Sequence, residues 1–347
     1  PDYRSVRQEL VCHRDGPVPK SVKDLPGLRL AVLHESSYEE TLYALTAQTP
    51  ELAWISDAES GIEELFEQVW SRELDCTIAD SHIVALNRRY FPELVVPFPV
   101  SKEEQLAWIV VPRARALLEP LTRWFAQARK EGVLAAIDSR HFGFVERFDY
   151  VDTVAYMDRI QERLPDYERL FRRAAREHDL SWTLLAAMGY QESHWDPHAR
   201  SPTGVRGLMM LTLATAKEVG VKNRLDPLQS IQGGALYLRR LLDRLPEGLT
   251  GEDRLWVAMA AYNVGLGHVY DARTLAQRLG KNPDAWADLK EVLPLLAKKK
   301  YYRTVRHGYA RGGEPVRYVQ RIRNYLDLLE RRLADQTPDY QVAGEAF

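Results

Sequence analysis

Gly189-Tyr-Gln-Glu-Ser-His-Trp-Asp-Pro197 closes a helix and places a carboxylate on its last turn. Ser181 is suited to cap that helix at its start. Asp196-Pro197 ends it, because a residue before proline is pushed away from helical geometry. On the helix, Glu192 shares a face with Leu185, Met188 and Gly189, at i−7, i−4 and i−3. A carboxylate at the end of an apolar stripe is predicted to be desolvated. Desolvation raises its pKa and suits it to general-acid chemistry near neutral pH. From this local pattern alone, an ordinary surface glutamate is the commoner reading.

The surrounding segments change that balance. Ala199 to Leu211 is a loop with two glycines and small polar residues. Pro227 to Leu245 carries Ile231, Ala235, Leu238, Leu242 and Leu245 on one helical stripe. Glu252 to Asn263 is a helix closed by Gly265 and Gly267, and Val316 to Leu333 is the last long one. Strand signals disappear after Val151, and the tail beyond Asp335 looks frayed.

Four ordered blocks then stand out: the Glu192-Ser193 pair, the glycine-containing loop, Ala260-Ala-Tyr-Asn-Val-Gly265 and Arg317-Tyr-Val-Gln-Arg-Ile322. In this order and spacing, residues 167–329 resemble the catalytic domain of lytic murein transglycosylases of the soluble-transglycosylase type. The resemblance implies a goose-lysozyme-like helical fold and cleavage of the glycan of peptidoglycan without a cofactor or metal. It implies Glu192 as the single catalytic acid/base. It implies Ser193, Ser201, Met209, Met210, Tyr262, Asn263 and Tyr318 as substrate contacts. Where that family usually reads Gly-Leu-Met-Gln, this chain has Gly207-Leu-Met-Met210, and a thioether replaces a hydrogen-bonding amide. This methionine-rich texture is similar to the membrane-bound transglycosylase F subgroup, which carries a preceding binding-protein-like domain and is tethered at the outer membrane.

Glycosidases ordinarily use two carboxylates. Asp196 is the only acidic residue between Glu192 and Glu218, and it lies outside the helix. A lone acid fits what the resemblance implies. Glu192 protonates the glycosidic oxygen between N-acetylmuramic acid and N-acetylglucosamine, then acts as base while the muramoyl 6-hydroxyl closes a 1,6-anhydro ring. The alternatives are a hydrolytic muramidase and a catalytically idle peptidoglycan-binding sensor.

The first half is built differently. Leu28–Leu33, Leu52–Ile55, Cys76–Ala79 and Ala107–Val111 read as strands, alternating with helices at Tyr38–Gln48, Ile62–Ser71 and Ala116–Glu131. That order predicts an α/β sheet, parallel or mixed. Ser36 and Ser37 fall where a strand meets a helix N-terminus, a natural carboxylate site, although capping is nearly as good an account. Asp80 ends a later strand and is placed to meet an amino group. The layout is similar to the second lobe of periplasmic amino-acid-binding proteins. Ser36, Ser37 and Asp80 would then carry a regulatory ligand, an amino acid or stem peptide.

The expected fold class is therefore α/β plus all-α. Residues 1–147 are expected as an incomplete periplasmic-binding-protein-like lobe, lacking its first part. Residues 148–347 are expected as the helical catalytic domain, with the boundary inside 142–154. Charge follows the same division. The first 147 residues carry 17 Lys+Arg against 23 Asp+Glu, and the remainder 30 against 26. With 45% hydrophobic and 28% charged residues, disordered and collagen-like chains are excluded.

No apolar run, Leu106–Val111 among them, approaches the roughly 20 residues a membrane helix needs. The expected location is the periplasm, peripheral to the outer membrane, through an anchor outside this sequence. The expected partners are glycan strands and muropeptides, with no nucleic acid. Cys12 and Cys76 are too few for a disulfide scaffold or a thiolate metal site, and their redox state is open. Trp182, Trp195, Trp256 and Trp286 read as core or cleft wall, and Lys298–Lys300 as a solvated loop. His194 and His198 are separated by the helix-breaking Asp-Pro pair, so no zinc pair is expected.

Overall fold

A computed structural model describes residues 1–142, 150–202 and 204–336. Part of the expected boundary segment, residues 143–149, and the expected frayed tail from 337 lie outside the described residues. The chain divides into two compact units, Pro1–Val154 and Ala155–Phe347.

The first unit carries β1 (Asp2–Val6), β2 (Gln8–His13), β3 (Leu30–Leu33), α1 (Ser37–Thr46), β4 (Ile55–Asp57), α2 (Ile62–Trp70), β5 (Cys76–Asp80), α3 (Ser81–Asn87), β6 (Leu94–Val95), β7 (Glu104–Ala107), α4 (Leu118–Lys130) and α5 (Val133–His141). Five strands form one sheet in the order β4-β3-β5-β2-β6, while β1 and β7 form a separate antiparallel ribbon. β3 runs parallel to both β4 and β5, and β2 runs antiparallel to β5 and β6. The sheet is therefore mixed.

Side-chain alternation along the strands builds two cores, one on each face. Leu10, Leu30, Val32 and Ile78 pack with Tyr38 and Leu42 of α1. Val11, Ala31 and Ala79 pack with Leu65, Phe66 and Val69 of α2. Cys12 and Cys76 face each other across β2 and β5 and form a disulfide that closes a separation of 64 residues.

Three expectations need correction here. β1 and β2 are strands absent from the sequence expectation; in β2 the polar residues Gln8, Glu9 and His13 are buried. Glu9 accepts from Arg7 at 2.9 Å and His13 Nδ1 accepts the Asp15 N–H at 3.1 Å, while the Gln8 backbone N–H donates to the distant Ser101 hydroxyl at 2.9 Å. The strand expected at Leu52–Ile55 begins instead at Ile55, where pairing with Ala31 starts. The strand expected at Ala107–Val111 lies earlier, at Glu104–Ala107, where it pairs with β1; Trp108, Ile109 and Val111 are exposed.

The second unit is helical. It comprises α6 (Tyr150–Glu162, beginning in the first unit), α7 (Leu164–His178), α8 (Trp182–Ser193), α9 (Leu213–Glu218), α10 (Pro227–Arg244), α11 (Gly251–Val264), α12 (Leu266–Arg278), α13 (Trp286–Val292), α14 (Lys299–Tyr302) and α15 (Gly313–Gln336). α8 lies at the centre, packed by α7 and α15, and every residue from Thr183 to Tyr190 is buried. A helix that is apolar on all sides is stable only as a core element. Ser181 caps it, accepting the Leu184 N–H at 3.2 Å. Its end is enforced by two consecutive left-handed residues, His194 (φ 53°) and Trp195 (φ 57°).

α12 is absent from the sequence expectation. Gly265, at φ 92°, turns the chain after α11, and helix resumes at once from Leu266. Trp195, Trp256 and Trp286 are core residues, while Trp182 is half-buried beneath the Arg172 guanidinium, 4.0 Å from its ring.

Candidate active site

Glu192 occupies the last turn of α8, half-buried, with its carboxylate directed at α15. The Tyr318 hydroxyl donates a 2.6 Å hydrogen bond to Glu192 Oε1. Removal from water raises the Glu192 pKa, and the Tyr318 bond, which favours the ionised form, pulls it back; the balance stands at about 7. No second carboxylate figures among the groups that shift it. At neutral pH such a group is near its midpoint and can both give and take a proton. Tyr262 and Tyr318 are themselves pushed far above the usual phenol range, first by burial and then by the Glu192 charge, so both stay protonated donors.

Beside the acid, residues 204–211 form a loop held from several directions. The Tyr262 hydroxyl donates to the Met209 carbonyl at 2.9 Å. The Met209 N–H donates to the buried Ser230 hydroxyl at 3.1 Å. Ser193 donates toward the Leu208 carbonyl at 2.9 Å and the Gly189 carbonyl at 3.1 Å. Arg224 bonds the Gly204 and Leu211 carbonyls, each at 2.8 Å. Gly207 sits at φ 82°, and a Cβ there would collide with the Arg224 carbonyl, so only glycine fits.

The expected site residues therefore separate into groups. Glu192 and Tyr318 meet directly, and Tyr262 is near enough to feel the Glu192 charge. Asn263 is exposed beside Tyr262. Ser201 shapes the loop by accepting the Val205 N–H at 3.3 Å. Met210 is half-buried with φ 44°.

Met209 requires a correction. It was expected to touch substrate, but its side chain is fully buried against Gly189 and Gly234, and only its backbone serves the loop. Ser193 likewise bonds backbone carbonyls of α8 and the loop. Arg224 and Ser230 are part of the frame and carry no sequence signal, since an isolated arginine or serine has no period or motif. The glycine pair in the loop did mark where the backbone had to bend.

In the first unit, β3 and β5 are adjacent and parallel, so Ser36 and Asp80 lie at the same edge of the sheet. Ser36 caps α1: it donates to the Leu33 carbonyl at 2.6 Å and accepts the Glu39 N–H at 3.3 Å. Ser37 is exposed on the first turn. Asp80 is half-buried, and its carboxyl is held above the usual range by burial and then by Glu104. Its N–H donates to the Tyr38 hydroxyl at 3.3 Å. Ser36 also lines an open groove of about 690 Å³ with His34, Glu39, Tyr43 and Ser56.

Residues 169–284 match the Transglycosylase SLT domain family. Over 95% of this chain, a membrane-bound lytic murein transglycosylase F from Maricaulis maris is 52% identical, the match covering 72% of that protein. Another of the same name from Shewanella sediminis is 50% identical over 95% of this chain and 68% of that protein. Among solved structures, a mutant of ArgBP from T. maritima is similar over 41% of this chain and 60% of that one, at 19% identity and a TM-score of 0.37. With half of its residues identical over nearly its whole length to proteins of that name, the chain belongs to the membrane-bound lytic murein transglycosylase F family.

Proposed function

We propose that the chain is a lytic transglycosylase that cleaves the β-1,4 bond between N-acetylmuramic acid and N-acetylglucosamine in peptidoglycan, leaving 1,6-anhydromuramoyl ends. The observation that carries this reading is one carboxyl, Glu192, with a pKa of about 7 and no carboxylate among its perturbing neighbours. In the first step protonated Glu192 donates to the glycosidic oxygen as the bond breaks. The resulting carboxylate then accepts the proton of the muramoyl 6-hydroxyl, whose oxygen closes on C1. One group thus performs both transfers, and no water is added. Tyr318 orients Glu192, Tyr262 holds the loop wall, and Asn263, Ser201 and Met210 face the sugars.

We extend the reading to the first unit and to location. Residues 1–147 serve as a regulatory lobe in which Ser36, Ser37 and Asp80 meet an amino acid or stem peptide, and residues 148–347 as the catalytic domain. The protein works in the periplasm against the outer membrane. Its relatives are named membrane-bound, and among the described residues no helix is long and apolar enough to cross a membrane. The Cys12–Cys76 disulfide suits an oxidising compartment.

Mass spectrometry of digested sacculi tests the activity. Anhydromuropeptides are the expected products. Reducing ends heavier by one water would replace this reading with a muramidase, and unchanged glycan with an idle sensor. Titrating muropeptides and free stem peptides while recording the cleavage rate tests the regulatory lobe; a rate that never responds removes it.

A further inference from the structure

Residues 298–311 read Lys-Lys-Lys-Tyr-Tyr-Arg-Thr-Val-Arg-His-Gly-Tyr-Ala-Arg, and no acidic residue occurs between Glu291 and Glu314. Lys298, Lys299, Lys300, Arg303, Arg306 and Arg311 are all exposed. Among the described residues, Arg311 alone of these six has a carboxylate partner, Glu314 at 3.5 Å. A lysine run is ordinarily a solvated, mobile face. This one is anchored. Asp271, buried on α12, accepts the N–H groups of Arg306 (3.1 Å), His307 (2.8 Å) and Gly308 (3.1 Å). The Ala310 N–H donates to the Leu296 carbonyl at 3.2 Å, and Arg278 bonds the Thr304 carbonyl at 2.8 Å. The Tyr302 and Tyr309 rings meet edge-to-face at 5.7 Å.

Two links tie this loop to the candidate active site. Gly267, four residues beyond Asn263, lies against the His307 ring, so closely that a Cβ would stand 2.7 Å from Nδ1. On the other side, Arg311 leads directly into α15, which begins at Gly313 and carries Tyr318. At about 1.5 Å of rise per residue, Tyr318 is roughly 7.5 Å along that helix from its start. The loop thus packs against the helix that follows Asn263 and leads into the helix whose Tyr318 bonds Glu192.

We propose that loop 298–311 is a carboxylate-binding extension of the cleft that grips the peptides borne by the glycan strand being cut, an inference that rests on the transglycosylase reading. Peptides on the strand present free carboxylates and are tethered to the sugars held at Glu192, so their effective concentration at the loop is high. Because the backbone is already pinned, binding orders little more than side chains. Exposed ion pairs are individually weak, so the effect is collective and salt-sensitive.

The test compares peptide-bearing glycan strands with the same strands stripped of peptide by an amidase, scoring release of anhydro ends. The full chain is compared with a Lys298→Gln/Lys299→Gln/Arg303→Gln/Arg306→Gln variant. The parent chain is expected to prefer peptide-bearing strands through a lower KM, and added salt to erode that preference. In the variant, the ratio of kcat/KM between the two substrates is expected to fall about tenfold, as four weak ion pairs allow. Should the fourfold variant misfold, Lys298→Glu/Lys299→Glu carries the same expectation. A folded variant that retains the parent's preference, or a parent that shows none, overturns the proposal. Sedimentation with phosphatidylglycerol vesicles that depends on these cations, without any peptide preference, gives the loop to a membrane instead. Absence of anhydro ends from both substrates with the parent chain condemns the transglycosylase reading itself, a result distinct from the others.

Discussion

Glu192 and Asp80 are both carboxyls held above their ordinary range by burial, one in each unit. Their settings differ. Glu192 receives a hydroxyl from Tyr318, 126 residues away, and faces a loop fastened by Tyr262, Ser230 and Arg224. Asp80 has a like-charged neighbour, Glu104, and the nearby Ser36 hydroxyl is already engaged in capping α1. The first arrangement is held by hydrogen bonds that come from separate segments. In the second, burial and then the Glu104 charge favour the protonated form of Asp80.

The largest effect expected from this contrast is at Glu192. Glu192→Gln should lower the rate of anhydro-end formation by about 10³-fold, within the usual range for a general acid. It should also change how stability depends on pH. The folded pKa of about 7 lies above the unfolded value of 4.5, so the native state holds the proton more tightly. Wild-type stability should therefore fall as pH rises from 4.5 to 7, by up to about 3 kcal/mol, and then level off. The Gln variant should lack that decline. Thermal melts at pH 5 and pH 8 measure the difference, and parallel pH dependence of the two proteins would contradict a raised Glu192 pKa.

Next is the disulfide, which belongs to the first unit alone. Reduction releases a 64-residue separation and should destabilise that unit by about 4 kcal/mol. Calorimetry should show the first unit's transition moving down while the helical unit's transition stays in place. Gly207→Ala reverses the pattern: a Cβ at φ 82° against the Arg224 carbonyl should remove about 3 kcal/mol from the helical unit. Activity should fall with it, because the loop facing Glu192 shifts.

Tyr318→Phe removes the one interaction that lowers the Glu192 pKa. The alkaline limb of the pH–rate profile should move to higher pH, and kcat should drop roughly tenfold through lost orientation. A limb that stays put would place proton control elsewhere. Smallest is Ser36→Ala, which should destabilise α1 by about 1 kcal/mol. If Ser36 also meets a ligand, peptide affinity should fall further than this cap loss explains.

Much of the helical unit was legible because its signals are local. Ser181 caps α8, the Asp196-Pro197 pair falls just beyond its end, and the stripe from Ile231 to Leu245 marks α10. In the first unit the helices were legible for the same reason, while β1 and β2 were not. A strand's burial depends on neighbours far along the chain, and β2 is held by β5, more than 60 residues later. Met209 shows the same limit within the site. Its loop was identified, but the direction of its side chain depends on the space left by Gly189 and Gly234, on two other helices.

The sequence by itself determined which residues share a helical face, where helices stop, and that Glu192 ends an apolar stripe, because those relations repeat every three or four residues. Only the tertiary structure decided that Glu192 titrates near 7, that Tyr318 meets it, that Met209 turns inward and that Cys12 joins Cys76. Desolvation and contact are sums over segments brought together by folding, and no local period records them.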